Sequence, residues 1–346
     1  MDLPRAAFAS GTTSPDDDDT EAEAIEAAHE QAYGAYMDLK RPESDYLHLP
    51  WPSVDTLIGG IQPGTVGLVV AGSGQGKTSF LMSMTHLLLN RERCVYYLGL
   101  ETTPPVLRTQ LACLRLNLHP GDVLSGKLKG HPAWADYRKA LIAELEAQKY
   151  QREGNRFLVG AQAHVDRAGL TLAAADAAKA KADVWIIDHV DHAAGSDYAE
   201  NLLTMRHILS LSLQHGLRTI CASQVNQASM AMDRLAIYRP PTRTAIKGGG
   251  HKLEVAAWAL GVYRPIKKGV TRDELAAVKL DQADVSSILA PNTAGVSCLK
   301  NRNFGGLEGQ RCLLHHERGL VREKTSFDDA QDHLRHRREE NDHGQG

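Results

Sequence analysis

Gly72, Gly74 and Gly76 lead directly into Lys77 and Thr78 in the run TVGLVVAGSGQGKTSFLMSM. An apolar stretch that reads as a strand precedes them, and a helical pattern follows. This is the strand–loop–helix context of a phosphate-binding loop, G-x-x-x-x-G-K-[ST], with Ala71 in place of the first glycine. Glycines let successive backbone N–H groups turn toward one phosphate, and the helix start adds a favourable dipole. The loop from Gly72 through Ser73, Gly74, Gln75 and Gly76 to Lys77, Thr78 and Ser79 is thus the candidate nucleotide site. In such loops the lysine meets the β- and γ-phosphate oxygens, and the hydroxyl at the position of Thr78 ligates Mg²⁺. The alternative is a glycine turn with a chance Lys-Thr, which the flanking strand and helix disfavour.

Phosphoryl transfer from ATP needs more groups. VWIIDHVDH supplies Asp188 at the end of an apolar run, where open α/β sheets place their ligands and where a second magnesium-side acid belongs. Asp191 lies beyond the strand and reads as peripheral. His189 and His192 flank these acids, but loop histidines are common and no dedicated metal site is expected from them. CVYYLGLETT ends in Glu101, a candidate general base for activating water.

These residues need a sheet to align them. Apolar runs at 65–71, 94–100, 184–188, 218–223, 258–264 and 296–302 alternate with helical stretches. Several runs are continuous rather than alternating, as in parallel strands covered on both faces. RCLLHHE and GLVREK flank Arg318-Gly319 and predict a closing hairpin. The fold class expected is α/β: a mostly parallel twisted sheet, helices on both faces and a C-terminal hairpin.

Composition narrows the classes. The 346 residues carry a net charge of −3, which alone argues against nucleic acid. Residues 1–30 hold nine acids and one base, however, so the remaining 316 residues carry a net +5. Only 19 of 346 residues are Phe, Trp or Tyr, so aromatic stacking is not expected to dominate any contact with single strands. No apolar run is long enough to span a membrane, and the N-terminus lacks a signal-peptide pattern. Five scattered cysteines without CxxC read as buried thiols of a cytoplasmic protein. The expected organisation is a disordered acidic tail at 1–19, a helix at 20–46 opened by the capping pair Thr20/Glu23, one α/β domain at 47–324, and a charged tail at 325–346.

Over about residues 47–324 the chain resembles the RecA-type ATPase domain of DnaB-like (superfamily 4) replicative helicases and their phage relatives. PSVDTLIGGIQPGTVGLVVAGSGQGKTSF is similar to that family's opening, YLGLETT to its strand ending in the catalytic glutamate, and IIDHVDH to its Walker B strand. SQVNQ resembles its Ser-Gln-x-Asn motif, KGGGHKLEVAAWALGVYR its DNA-binding loop and following strand, and KNRNFGGLEG its Lys-x-Arg motif. The resemblance implies the catalytic base at Glu101, Mg²⁺ ligation by Asp188, and a γ-phosphate sensor at Gln224 beside Asn226. It also implies a Lys300/Arg302 pair inserted into a neighbouring subunit's ATP site, and single-stranded DNA contacts from Lys247, Gly248, Gly249, Gly250 and Lys252. ATP and Mg²⁺ are the implied cofactors. Single-stranded DNA, further copies in a hexameric ring, and a separate primase or loader are the implied partners, in a bacterial, plasmid or phage setting.

Departures fall mainly at the DNA-coupling positions. Gln227 stands where the family commonly has Arg, Lys247 also replaces Arg, and His-Val-Asp replaces Tyr-Leu-Gln after Asp188. The family's amino-terminal collar and any primase domain have no counterpart in residues 1–46. The expected activity is ATP-driven helicase action. The alternative is a RecA/RadA- or KaiC-like ATPase in recombination, repair or regulation without unwinding.

Overall fold

A computed structural model describes residues 45–149, 156–161, 165–193, 198–226, 241–247, 250–264, 292–302 and 307–324. The expected tails at 1–19 and 325–346, the helix at 20–46 as far as residue 44, and Gln227, Gly248 and Gly249 lie outside them. Two compact units divide the chain, Met1–Tyr46 and Leu47–Gly346, and the described elements belong to the second.

Nine strands form one sheet among the described residues, in the order β3-β2-β4-β5-β1-β6-β7-β8-β9. They are β1 (Val66–Ala71), β2 (Val95–Gly99), β3 (Phe157–Ala161), β4 (Val184–Asp188), β5 (Thr219–Gln224), β6 (Trp258–Tyr263), β7 (Thr293–Asn301), β8 (Arg311–Glu317) and β9 (Leu320–Glu323). β3 to β6 along that order are parallel, and β7, β8 and β9 continue as an antiparallel meander. The continuous apolar runs have the predicted cause: every residue of β1, β2, β4 and β6 is buried.

Two hydrophobic layers sandwich the sheet. On one face α1 (Pro52–Ile58), α2 (Lys77–Leu89) and α3 (Pro104–Arg115) pack Ile58, Phe80 and Leu111 against Val69, Tyr97 and Leu260. On the other, α4 (Arg167–Lys179), α5 (Tyr198–His215) and α6 (His251–Val255) set Leu170, Ile208 and Leu253 against Leu68, Trp185 and Ile187. Neighbouring residues of β1 face opposite layers, so both faces of the strand must be apolar.

The predicted hairpin forms at Arg318-Gly319, both with positive φ (48° and 85°), the backbone of a tight two-residue turn. It fastens the start of the domain. Trp51 Nε1 donates to the Val321 carbonyl at 3.1 Å, and Ser53 N donates to Glu323 at 2.9 Å. Trp51 also stacks on Phe80 at 4.5 Å. Strand β3 is not among the runs expected from the sequence: FLVGA is short, and its Gly160 and Ala161 carry little strand propensity. Four of the five cysteines are buried, and burial pushes Cys113 and Cys298 up to about 11 and Cys221 to about 12, so these thiols stay protonated.

Candidate active site

Strand register sets the site. β5 lies between β1 and β4; Ala71 aligns with Gln224, and Gly99 aligns with Asp188. The phosphate loop, Gln224, Asp188 and Glu101 therefore emerge from the same carboxyl edge of the parallel strands, where such sheets bind ligands.

The loop turns through Gly74 and Gly76 at φ of 70° and 88°, a region open to glycine. Gly76 begins α2 without any side-chain cap, which leaves the first helical N–H groups for an anion. Gln75 is buried and accepts from the Arg264 backbone N–H at 2.9 Å, fixing the loop to the end of β6.

Thr78 Oγ1 donates to Asp188 Oδ2 at 2.9 Å, and the buried Tyr97 hydroxyl donates to the same oxygen at 2.7 Å. Burial raises the Tyr97 pKa well above its ordinary value, and Asp188 adds to the effect, so the hydroxyl remains a donor. Lys77 Nζ lies 3.9 Å from Asp188 Oδ1. Both atoms are buried without a hydrogen-bond partner. Burial lowers the Lys77 pKa, against the opposing pull of Asp188. An ammonium and a carboxylate oxygen that share a long ion-pair contact but no hydrogen bond, beside open helix N–H groups, fit a polyphosphate with a hard divalent cation.

Farther along the edge, His189 joins the expected residues. Its Nε2 lies 3.2 Å from Glu101 Oε2 and 3.0 Å from Gln224 Nε2, and its Nδ1 lies 3.2 Å from Asp191 Oδ2. Glu101 and Gln224 thus both approach the same nitrogen of one buried imidazole. Glu101 itself is 60% exposed and free to face solvent.

Two expectations are corrected. Asp191 is buried rather than peripheral: it accepts from Ser223 Oγ at 3.1 Å and from the Gln224 N–H at 2.8 Å, and it pairs with Lys252. Burial alone would raise its pKa; the contacts with His189, Lys252 and Gln224 hold it well below the usual carboxylate range. Lys252, expected on DNA, is fully buried and donates to Asp191, to Ser223 Oγ at 3.2 Å and to the Lys247 carbonyl at 2.9 Å. Its place on α6 turns it under β5, out of reach of a strand of DNA. Lys247 is exposed, with its N–H on the Gln224 carbonyl at 2.9 Å, and Gly250 begins α6. Exposed Arg243 pairs with Glu308 at 2.7 Å.

Lys300 and Arg302 stand elsewhere. Arg302 N bonds the Ala257 carbonyl, and Ala257 N bonds that of Val66, at the start of β1. The loop begins six residues later at Gly72, so about 20 Å of strand separates Arg302 from its own phosphate loop, and Lys300, level with Leu68, stands about 13 Å from it. Their side chains donate to the Leu253 and Glu254 carbonyls of α6. Burial, with Arg302 and Arg243 nearby, pushes Lys300 down to about 8.

A cavity of about 270 Å³ adjoins the loop, lined by Thr78, Ser79, Arg264, His316 and Gly319 among others. The buried His316 has an unpartnered Nε2, and burial followed by the charge of Arg264 lowers its pKa to about 4.

No protein-family model and no curated protein matches the chain. Solved structures match its fold. A DnaB-like replicative helicase, described with its interactions with primase, aligns at TM-score 0.63 and 13% identity over 86% of this chain and 66% of that one. A second solved structure, a separate ATPase domain, aligns at TM-score 0.63 and 13% identity over 86% and 98% of the two chains. A KaiC-like protein from the hyperthermophilic archaeon Pyrococcus horikoshii OT3 aligns at TM-score 0.53 and 14% identity over 81% and 99%. The chain therefore has the RecA-type P-loop ATPase fold, and a DnaB-like helicase is among its structural counterparts. It spans about two thirds of the length of the DnaB-like helicase it matches. Among the described residues, no helix is long and apolar enough to cross a membrane.

Proposed function

We infer that the protein hydrolyses ATP and uses the energy to move along single-stranded DNA as a DnaB-like hexameric helicase. The observation that carries the hydrolase reading is the buried facing of Lys77 Nζ and Asp188 Oδ1, in long ion-pair contact and without hydrogen bonds, beside the uncapped start of α2. Lys77 holds the β- and γ-phosphate oxygens, and the N–H groups from Gly74 to Thr78 cradle the β-phosphate. Thr78 and Asp188 hold Mg²⁺, which when bound neutralises charge on the phosphate oxygens. Tyr97 orients the Asp188 carboxylate. Glu101 takes a proton from the attacking water, and His189 Nε2, within reach of both side chains, either donates to Glu101 or accepts from the Gln224 amide according to its tautomer. The cavity at Arg264 and His316 accepts the nucleoside end.

The distance between Arg302 and its own phosphate loop supports a ring, in which Lys300 and Arg302 complete a neighbour's site. A guanidinium supplied in trans is worth roughly 10³–10⁵ in rate in other NTPases. Lys247 and the glycines after it are the DNA-facing candidates. A separate primase or loader is a partner in this reading.

Strand displacement on a forked duplex, run beside single-strand-stimulated ATPase, tests it. ATP-dependent displacement supports the helicase. Stimulated ATPase without displacement favours the RecA- or KaiC-like alternative, for which the KaiC-like structural counterpart is the supporting observation. No ATPase under either condition overturns both.

A further inference from the structure

The carboxyl edge of the sheet carries a second constellation, which shares Glu101 and His189 with the proposed ATP site and adds His192. Glu101, His189 and His192 each offer one donor atom, and the three atoms lie within 4.8 Å of one another. The His189 and His192 rings are 4.2 Å apart. We propose that these residues form a site for a divalent transition metal of the Zn²⁺ class, separate from the Mg²⁺ position at Thr78 and Asp188, and that its occupation withdraws Glu101 from catalysis.

The geometry suits the ion. Bonds of about 2.0–2.1 Å in a tetrahedral set place neighbouring donors about 3.3 Å apart. Glu101 Oε2 and His189 Nε2 already stand at 3.2 Å. His192 needs to close by at most about 1.5 Å to reach that spacing, and as an exposed side chain it has room to do so. His189 is prepared from behind: its Nδ1 faces Asp191, which Lys252, Ser223 and the Gln224 N–H hold in place. A carboxylate behind a histidine fixes the ring with its other nitrogen turned toward the metal. That nitrogen now lies near Gln224 Nε2, so a metal would also separate Gln224 from His189.

Two imidazoles and one carboxylate select Zn²⁺, Co²⁺, Ni²⁺ or Cu²⁺ over Mg²⁺, which prefers all-oxygen octahedra. Three protein ligands leave a coordination position for water. A carboxylate bound to a transition metal no longer accepts a proton from the attacking water, so turnover falls while nucleotide still binds.

Binding rests on geometry alone. The effect on turnover rests on the role inferred for Glu101, and two readouts separate them. The first is calorimetry with Zn²⁺ and visible d–d absorption with Co²⁺ on the full-length, metal-stripped protein, comparing wild type with His192→Ala and His192→Asp. Among the competing sites are exposed histidines elsewhere, so the difference between variants is decisive. We expect one Zn²⁺ per chain whose affinity falls about tenfold or more in His192→Ala and partly returns in His192→Asp. Equal affinity in wild type and His192→Ala, with both folded by circular dichroism, overturns the site. The second readout is Mg²⁺-ATP hydrolysis. Zn²⁺ should inhibit the wild type, a zinc-selective chelator should reverse this, and His192→Ala should keep its basal rate and resist Zn²⁺. Stoichiometric binding without inhibition leaves the site standing and overturns its coupling to Glu101.

Discussion

Lys77 is a buried ammonium in long ion-pair contact with Asp188 and without a hydrogen-bond partner, a costly arrangement unless a ligand supplies acceptors. Lys77→Ala should therefore lose nucleotide binding, read with a fluorescent ATP analogue; retained binding would count against the phosphate-loop assignment. Glu101→Gln should behave differently. It keeps the shape of the side chain and removes the base, so kcat should fall by about 10²–10⁴ while nucleotide affinity holds. The Asp191–Lys252 pair has a structural weight that the phosphate residues lack. Asp191→Asn leaves Lys252 buried and unmatched, at a cost of about 3–5 kcal/mol, measurable by urea unfolding. Adding Lys252→Met should recover much of that loss, and no recovery would show that the pair does not act as a unit.

The elements explain which of these residues are legible in the amino-acid order. The phosphate loop is, because Gly72 to Thr78 are contiguous and form their strand–loop–helix turn locally. Asp188 and Gln224 are, because each ends an apolar run and parallel strands deliver such ends to one edge. The hairpin is readable from Arg318-Gly319. Lys252 is not: a lysine after three glycines looks solvated, and only the packing of α6 under β5 buries it. Asp191 and His189 escape notice for the same reason, since their partners Ser223, Gln224 and Glu101 are remote in sequence. At this scale β1 depends on β6. A Cβ on Gly67 would come within 1.9 Å of the Trp258 ring, so Gly67→Ala must displace a fully buried indole between two central strands. A loss of about 1–3 kcal/mol or more in thermal or urea unfolding is expected, and an unchanged midpoint would mean the strands slide apart freely.

For the whole molecule, acid should act through His316. Its pKa is about 4 in the fold against 6.5 for a free histidine. Between those values the unfolded chain binds a proton that the folded chain does not, so stability falls as pH drops from about 6.5 to about 4, by roughly 3 kcal/mol from this group. Comparing urea midpoints of wild type and His316→Phe across that window isolates the contribution; parallel curves would remove it. The ring proposed above makes a second molecular prediction. Mixing Arg302→Ala with Glu101→Gln subunits should restore part of the ATPase lost in each alone, because some sites then receive an intact arginine and an intact base. Absence of rescue at every ratio would argue against a shared site. The net −3 of the chain does not oppose DNA binding in such an assembly, since local fields in a channel depend on the residues that line it.

Helix α6 is held twice. Lys252 fastens its middle to Asp191 beneath Gln224, and Lys300 and Arg302 fasten its last carbonyls. In the ring inferred above, the first clasp answers to the subunit's own nucleotide and the second to the neighbour's. Helix α6 is then governed by an interlock. It is released only when both pockets agree, which would give a circle of subunits an order of firing rather than six independent strokes.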